Sequence, residues 1–368
     1  MKPMTIPEIQ DIIRSRSGAE GFLRLAPRGA GSKPALISQD GFSLVETSGI
    51  SGLLEYEPQE FTFTALSGTP LAEIEQALAA HGQFLPFDPP LVQAGATLGG
   101  CVASGLSGPG RYRYGGLRDF LLGVRFVDSQ GQLVSSGGKV VKNAAGFDLP
   151  KLMIGSLGQY GILVEMSFKV FPRPEAYATF QAEYPLLEKA LEMLIRLTQQ
   201  PFELFALDLI PQVRGAHLLV RLGGSPATLP ERINNLQYFL ESDAVHLLEG
   251  EAEAKLWQAE LEFTWAPADH SLAKVPLTPR RLPVLDEKLA IAGAVRHYSV
   301  GANLAWIAWP GEVSKLDGIL VGLDLSGLLL RGTAQSPQLG VRSGVGFARR
   351  VKQALDPHGI FPGAFDAA

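Results

Sequence analysis

Between Gly95 and Gly116 the chain carries eight glycines in 22 residues, where its overall frequency of 41 in 368 predicts about 2.5. Regular structure tolerates such density poorly, because each glycine inside a helix or strand costs about 0.5–1 kcal/mol relative to alanine. Residues 94–110, AGATLGGCVASGLSGPG, contain no charged side chain. This stretch is therefore expected to be irregular backbone rather than helix or strand. Buried backbone N–H groups need acceptors, and a bound ligand rich in acceptors would supply them. A second irregular, glycine-bearing stretch, KNAAGFDLPKLMIGSLGQYG, follows at 142–161 and leads into the alternating run ILVEMSFKV.

At 368 residues the chain is long enough for about two domains, each with its own core. Apolar residues at 46% and charged residues at 19% place it among folded proteins rather than disordered ones. The formal net charge is -5, and lysines and arginines are scattered apart from the pairs Arg280–Arg281 and Arg349–Arg350. No nucleic-acid footprint follows from that pattern. The single cysteine, Cys101, excludes an intrachain disulfide and argues against a cysteine-based metal site. The N-terminus lacks the apolar core and small-residue cleavage site of a signal peptide. No run of 18 apolar residues occurs without a charge. The cytoplasm is the expected compartment, with any membrane contact made through a partner.

In chain order, residues 5–14 read as a short amphipathic helix and 22–26 as a strand entering PRGAGSK at 27–33. Pro27 fixes the entry, and Gly29 and Gly31 let successive N–H groups turn into one anion-binding concavity; an ordinary strand-to-helix turn is the competing reading. Short strands are expected over 42–65. A helix follows in SGTPLAEIEQALAAHG, with Thr69 as N-cap, Pro70 at the first position and Gly82 at the end. FLPFDPP is an extended crossing. Residues 120–127 and 132–135 flank Asp128-Ser129-Gln130-Gly131, a type I turn signal, and form a hairpin. One helical turn is expected at 149–154. The strand at 162–170 buries Ile162, Val164, Met166, Phe168 and Val170 before Pro172 and Pro174 mark a boundary.

The remainder reads as helices at 186–200 and 229–241, strands at 202–210 and 216–222, a helix through Leu256, and a second run of similar order. Each half follows strand-helix-strand-strand-helix-strand, as in an α+β domain with helices on one face of an antiparallel sheet. A helix at 345–355 and the tail DPHGIFPGAF close the chain. Three regions are expected: 1–172, 173–343, and 344–368 returning to the first.

Standard nucleotide motifs fail. Gly344-x-Gly346 has Arg349 where a third glycine belongs, and Gly138-Lys139 is followed by Val140. Neither HExxH nor GxSxG occurs. However, PRGAGSK, ATLGGCVASGLSGPGRYRYGGLRDFLLG and KNAAGFDLPKLMIGSLGQYGILVEMSFKV, in that order, resemble the FAD-binding domain of the vanillyl-alcohol oxidase and p-cresol methylhydroxylase superfamily. Within it the chain most resembles the FAD-binding subunits of bacterial glycolate oxidase. The resemblance covers residues 5–172 strongly and the middle of the chain hardly at all.

That resemblance implies an FAD-binding domain of two α+β subdomains plus an α+β cap. It implies that Arg28, Gly29, Ala30, Gly31, Ser32 and Lys33 wrap the FAD pyrophosphate. Thr97, Gly99, Gly100, Ala103, Ser104 and Gly108 would line the pyrophosphate and flavin, and Gly155, Ser156, Gly158, Gly161 and Ile162 the adenine end. Dry, uncharged walls such as 94–110 suit an isoalloxazine ring. The first loop lacks the histidine that related proteins use as a covalent tether, so the FAD is expected to be non-covalent, and Cys101 to be a small buried residue.

Relatives that oxidise 2-hydroxy acids carry a His-x-Gly-Asp-Gly-Asn metal motif in the cap. The corresponding SVGANLAWIAW keeps Asn303 and Leu304 but has no His or Asp, so no metal site is expected. His297 is then the candidate base and Arg280 the candidate carboxylate clamp, with a structural histidine and a solvent-facing arginine as the competing readings. Trp306 and Trp309 read as core or interface. The implied activity is oxidation of glycolate to glyoxylate in a complex with a second FAD subunit and an iron-sulfur subunit, peripheral on the inner face of the membrane. The alternatives are a self-sufficient FAD dehydrogenase of another alcohol or 2-hydroxy acid, and a non-catalytic assembly subunit.

Overall fold

The computed structural model describes residues 1–15, 24–37, 41–138, 147–242 and 244–363. The irregular backbone expected at 139–146, the first two residues of the strand expected at 22–26, and the last residues of the tail lie outside that set.

α1 (Ile6–Arg14) begins where the Thr5 side chain accepts a hydrogen bond from the Glu8 N–H, and it buries Ile9 and Ile13 on one face. β1 (Arg24–Arg28) and β2 (Phe42–Glu46) form a parallel pair. β3 (Leu53–Glu57), β4 (Thr62–Leu66), α2 (Leu71–Ala79), β5 (Gln83–Phe84), α3 (Leu98–Ser104), α4 (Arg111–Tyr114), β6 (Leu121–Val127), β7 (Leu133–Gly137), α5 (Leu149–Met153), β8 (Ile162–Lys169) and β9 (Phe171–Pro172) follow. An antiparallel sheet of order β3-β4-β8-β6-β7 carries this part of the chain. The β6–β7 hairpin turns as its sequence indicates: Gly131 N donates to Asp128 O, and the Asp128 carboxylate accepts from Gln130 N and Gln132 N at 2.8 Å each. All five alternating residues of 162–170 are buried.

Two expectations fail here. The glycine-rich stretch does contain a helix, α3. Thr97 Oγ1 accepts from Gly100 N at 3.3 Å, and Leu98, Cys101 and Val102 supply buried apolar side chains. Gly99 lets the backbone approach Ser67, where an added Cβ would lie 2.7 Å from Ser67 Cβ. Close packing outweighs poor propensity over so short a span. Thr69 is not the N-cap of α2. Pro70 takes that position, and the buried Thr69 hydroxyl instead donates to Leu66 O at 2.7 Å while accepting from Gly52 N at 2.9 Å.

The second part contains β10 (Ala176–Tyr184), α6 (Leu187–Thr198), β11 (Ala206–Pro211), β12 (Ala216–Gly224), α7 (Leu229–Phe239), β13 (Ala244–Glu249), α8 (Gly250–Glu262), β14 (Ser271–Pro276), α9 (Leu282–Ile291), β15 (Val295–Ser299), β16 (Leu304–Trp309), α10 (Val313–Gly322), β17 (Ser326–Arg331) and β18 (Gln338–Gly340). Their nine strands form one sheet, β13-β10-β12-β11-β15-β16-β14-β17-β18. Numbering the strands within each half, the order is 4-1-3-2 followed by 2-3-1-4, with β18 added at the outer edge beside β17. Two strand-helix-strand-strand-helix-strand units thus meet edge to edge through their second strands, where Leu209 pairs with Tyr298.

α6, α7, α9 and α10 bury their apolar faces on one side of this sheet. α8 does not join them: its Trp257 packs on Ala206 and Leu219 on the opposite side. The helices therefore occupy both faces. On that opposite side the second half presents Leu272, Leu304, Trp306, Ala308 and Leu330 to a core shared with α3 and the five-stranded sheet.

α11 (Val345–Leu355) leads into a tail whose Ile360 and Phe361 are buried against Ile9, Ile13, Leu25 and Val45. Ile360 O accepts from Leu25 N at 2.8 Å. The buried Asp356 carboxylate accepts from Ile360 N at 2.9 Å and Phe361 N at 2.8 Å and pairs with Lys352. Asp356→Ala leaves two amides and an ammonium without this acceptor. It is expected to lower stability by about 2–4 kcal/mol, read as a fall in the urea midpoint; an unchanged midpoint would show that the tail is not anchored this way.

Candidate functional site

Three separate segments build one cleft that opens to solvent. β1 runs into the first, where Pro27, Arg28, Gly29, Ala30, Gly31, Ser32 and Lys33 all line the cavity. The N–H groups of Ala30, Gly31 and Ser32 donate to no described residue. Thr97, Gly99, Gly100, Ala103 and Ser104 of α3 form the second wall, and Ser156, Leu157, Gly158 and Gly161 the third. The walls lock onto one another through backbone. A Cβ on Gly29 would fall 2.5 Å from Thr97 Oγ1, and one on Gly158, at φ +76°, would fall 2.4 Å from Pro27 Cγ. Gly155 N donates to Val102 O and Leu157 N to Ala103 O, each at 2.9 Å.

Three residues expected at the cleft stand off it. Gly108 lies in a small crevice beneath α8, where its missing Cβ would meet Asp88 O and Leu261. Gly155 backs the C-terminal end of α3 against Gly105. Ile162 points into the core with Ile9 and Ile13. Conversely, Ser67, Thr47 and Leu163 line the cleft without having been singled out. For Ser67 a signal existed: Ser-Gly-Thr between a strand and a helix.

The polar groups here suit an anionic, acceptor-rich ligand. The Ser67 and Ser156 hydroxyls are buried without a hydrogen-bond partner, and both face the cleft. Lys33 is 7% exposed, and among the described residues its Nζ bonds only Ser32 Oγ, at 3.1 Å. Burial lowers its pKa from the ordinary lysine value. A buried ammonium without a carboxylate is costly unless a ligand supplies the negative charge. With the free N–H groups of the first loop, this donor set fits the pyrophosphate of FAD.

A second lysine sits at the other end of α3. Lys274, on β14, donates from Nζ to Gly105 O at 3.0 Å, and burial together with the nearby Arg111 lowers its pKa to about 8. Lys274 pairs with Trp306, and Trp306 with His297, across three adjacent strands. Directly paired residues share a face, so His297, Trp306 and Lys274 form one row, with Lys274 reaching the end of α3 and His297 lying against Glu260 and Trp265, and its outer members are about 10 Å apart at two strand spacings. Sequence reading missed Lys274; its mark is one lysine inside the apolar run SLAKVP.

His297 is 7% exposed; its ring stacks on Trp265 with centroids 3.9 Å apart, and Nδ1 lies 2.7 Å from Glu260 Oε2. In a neutral imidazole, a carboxylate at Nδ1 favours the tautomer with its proton there and Nε2 as acceptor. Arg280 is not brought to it. It is exposed in an open groove with Leu191, Leu194 and Pro283, beside the helices that cover the other face of the sheet. Cys101 is fully buried and its thiol is pushed up to about 12 by that burial, as suits an inert packing residue. Among the described residues no group of three His, Cys, Asp or Glu side chains could hold a metal ion.

Asp208 joins the two halves of the large sheet. It accepts from Ser299 Oγ at 2.8 Å and from Val300 N at 3.1 Å, where Val300 holds the strained φ of +58°. Burial pushes its carboxyl up to about 8, assisted by Glu260 and opposed by the Ser299 bond. Its ordinary value is about 3.9, so the folded state binds the extra proton between about pH 4 and pH 8, and stability contributed here falls as pH rises through that window. Asp208→Asn keeps an acceptor without a charge. Its stability relative to wild type is expected to rise between pH 5 and pH 8, by about 1–3 kcal/mol, measured by urea unfolding at both pH values; a constant difference would refute this.

No helix among the described residues is long and apolar enough to cross a membrane. A family model described as "FAD binding domain" matches residues 1–137. The glycolate oxidase subunit GlcE of Escherichia coli is 34% identical over 318 residues, covering 84% of this chain and 83% of that protein. The glycolate oxidase subunit GlcD of Bacillus subtilis is 29% identical over 52% of this chain and 40% of its own length. The mitochondrial cytochrome-type D-lactate dehydrogenase of Arabidopsis thaliana is 26% identical over 53% of this chain and 37% of its own length. An alkyldihydroxyacetonephosphate synthase structure shares the fold, with a TM-score of 0.73 at 16% identity over 98% of this chain and 76% of that one. The glycine-lined cleft and the agreement along most of both chains lead to one family: this chain belongs with the glycolate oxidase subunit GlcE among the FAD-dependent oxidoreductases.

Proposed function

We propose that the chain holds FAD non-covalently in the three-loop cleft and oxidises glycolate, or a similarly small 2-hydroxy acid, to the 2-oxo acid. It would do so within a complex containing a second FAD subunit and an iron-sulfur subunit, on the cytoplasmic side of the membrane. In this reading residues 1–172 with 344–368 form the cofactor-binding unit and 173–343 the cap. The observation that carries the reading is the row His297–Trp306–Lys274, which reaches the glycine-rich helix α3 through Lys274.

When bound, FAD supplies a hydride acceptor. The chain's own residues supply the rest. The free N–H groups of Ala30, Gly31 and Ser32, with Lys33, hold the pyrophosphate, and the Ser67 and Ser156 hydroxyls find acceptors on the same ligand. Lys274, which pairs with no carboxylate among the described residues, takes the substrate carboxylate, and Arg111 adds positive charge nearby. Nε2 of His297, oriented by Glu260, takes the hydroxyl proton. Trp306 and the uncharged wall of α3 keep water out between them. Lys274 replaces Arg280 as the anchoring cation because Arg280 opens on the other side of the sheet.

Anaerobic addition of glycolate or D-lactate to the yellow protein tests the proposal. Bleaching by the isolated chain supports catalysis by this subunit alone, and bleaching only after partner subunits are added supports the complex. Lack of bleaching in both would leave an assembly subunit. Lys274→Met is expected to raise the substrate concentration for half-bleaching by about 10–100-fold, the value of a charged hydrogen bond, with flavin content unchanged. Gly99→Val is expected to give a colourless protein, because its side chain would meet Ser67; full flavin occupancy would count against the cleft.

A further inference from the structure

The end of α8 grips the loop that feeds the cleft. Leu261 O accepts from Leu91 N at 3.1 Å. The Glu262 carboxylate accepts from two consecutive backbone amides, Gln93 N at 2.8 Å and Ala94 N at 3.2 Å. The loop then doubles back, with Ala96 N donating to Leu91 O at 2.9 Å, and delivers Thr97 to the cleft as the N-cap of α3. Both sides of this contact hold non-glycine residues in the left-handed region: Asp88 at φ +46°, Leu91 at +65° and Phe263 at +53°. Such conformations persist only where surrounding contacts over-determine them.

We propose that Glu262 is a positioning residue for the cofactor: its carboxylate clamps the 91–96 loop, sets Thr97 and the first turn of α3, and so ties FAD affinity to the docking of α8. The inference rests on the reading that the cleft beside Thr97 holds FAD. Glu262 lines none of that cleft and touches no ligand in this scheme. Among the described residues its hydrogen bonds go to these two backbone amides, so a side chain with one acceptor oxygen retains part of the clamp and one with none loses it.

The test is the dissociation constant of FAD from the full-length apoprotein, read by quenching of flavin fluorescence. Glu262→Ala is expected to weaken binding about tenfold, and Glu262→Gln, which keeps one acceptor, about threefold. Glu203→Ala serves as control. It breaks another exposed contact between the two parts of the chain, the Arg113–Glu203 pair at 3.8 Å, without touching the loop, and should leave affinity unchanged. Affinity of Glu262→Ala within twofold of wild type overturns the clamp, as does equal weakening by Glu203→Ala. Should the alanine variant fail to fold, wild-type affinity in Glu262→Gln overturns it instead. A wild-type apoprotein that takes up no FAD refutes the cleft itself, a result distinct from failure of the clamp.

Discussion

Everything near the cleft depends on a few donors that the protein itself does not satisfy. Ala30, Gly31 and Ser32 turn their N–H groups away from any described acceptor, Lys33 buries an ammonium without a carboxylate, and Ser67 and Ser156 bury idle hydroxyls. The buried ammonium and the two buried hydroxyls are unfavourable in isolation. The surrounding structure reads as the means of keeping them in place. The tail holds β1 through Ile360, β1 delivers the first loop, and Gly29 lets that loop rest on Thr97. The third loop is in turn bonded to the backbone of α3.

The seam between the two sheets is the other place where unfavourable terms gather. Asp88, Asp208 and Glu75 are all held above the ordinary carboxylate range chiefly by burial. Asp88, Leu91, Phe263, Val300 and Ala302 adopt left-handed backbone around it. The bonds that cross the seam, Lys274 to Gly105 O and Glu262 to the amides of the loop, offset these costs and carry the side chains that face α3. Sub-ångström placement of a site between two units calls for such over-determination.

Much of this architecture was legible in the sequence because it follows from local rules. Alternation predicted the burial of Ile162 through Val170, Asp128 and Gly131 predicted the β6–β7 turn, and periodicity predicted the doubled strand-helix order. The three glycine-bearing segments pointed to a ligand held against bare backbone, and their resemblance to a known FAD-binding domain made that ligand FAD. What was not legible depended on partners distant in sequence. α3 exists because Gly99 can sit against Ser67, and Thr69 is drawn from capping by Gly52 and Leu66. α8 lies on the unexpected face because Trp257 finds Ala206 and Leu219 there.

The same distinction explains why the cofactor was easier to read than the groups proposed for catalysis. Recognition by backbone demands glycine at defined points along one continuous segment, so it leaves a mark in composition. The row His297–Trp306–Lys274 is assembled across three strands whose order in the sheet differs from their order in the chain. Its lysine is separated from its histidine by a helix, and each looks unremarkable where it stands. Arg280, by contrast, offered suitable chemistry in sequence but lies in a groove beside the opposite face of the sheet. Strand pairing, which motif reading does not supply, is what puts Lys274 in the row to which we assign the proposed chemistry.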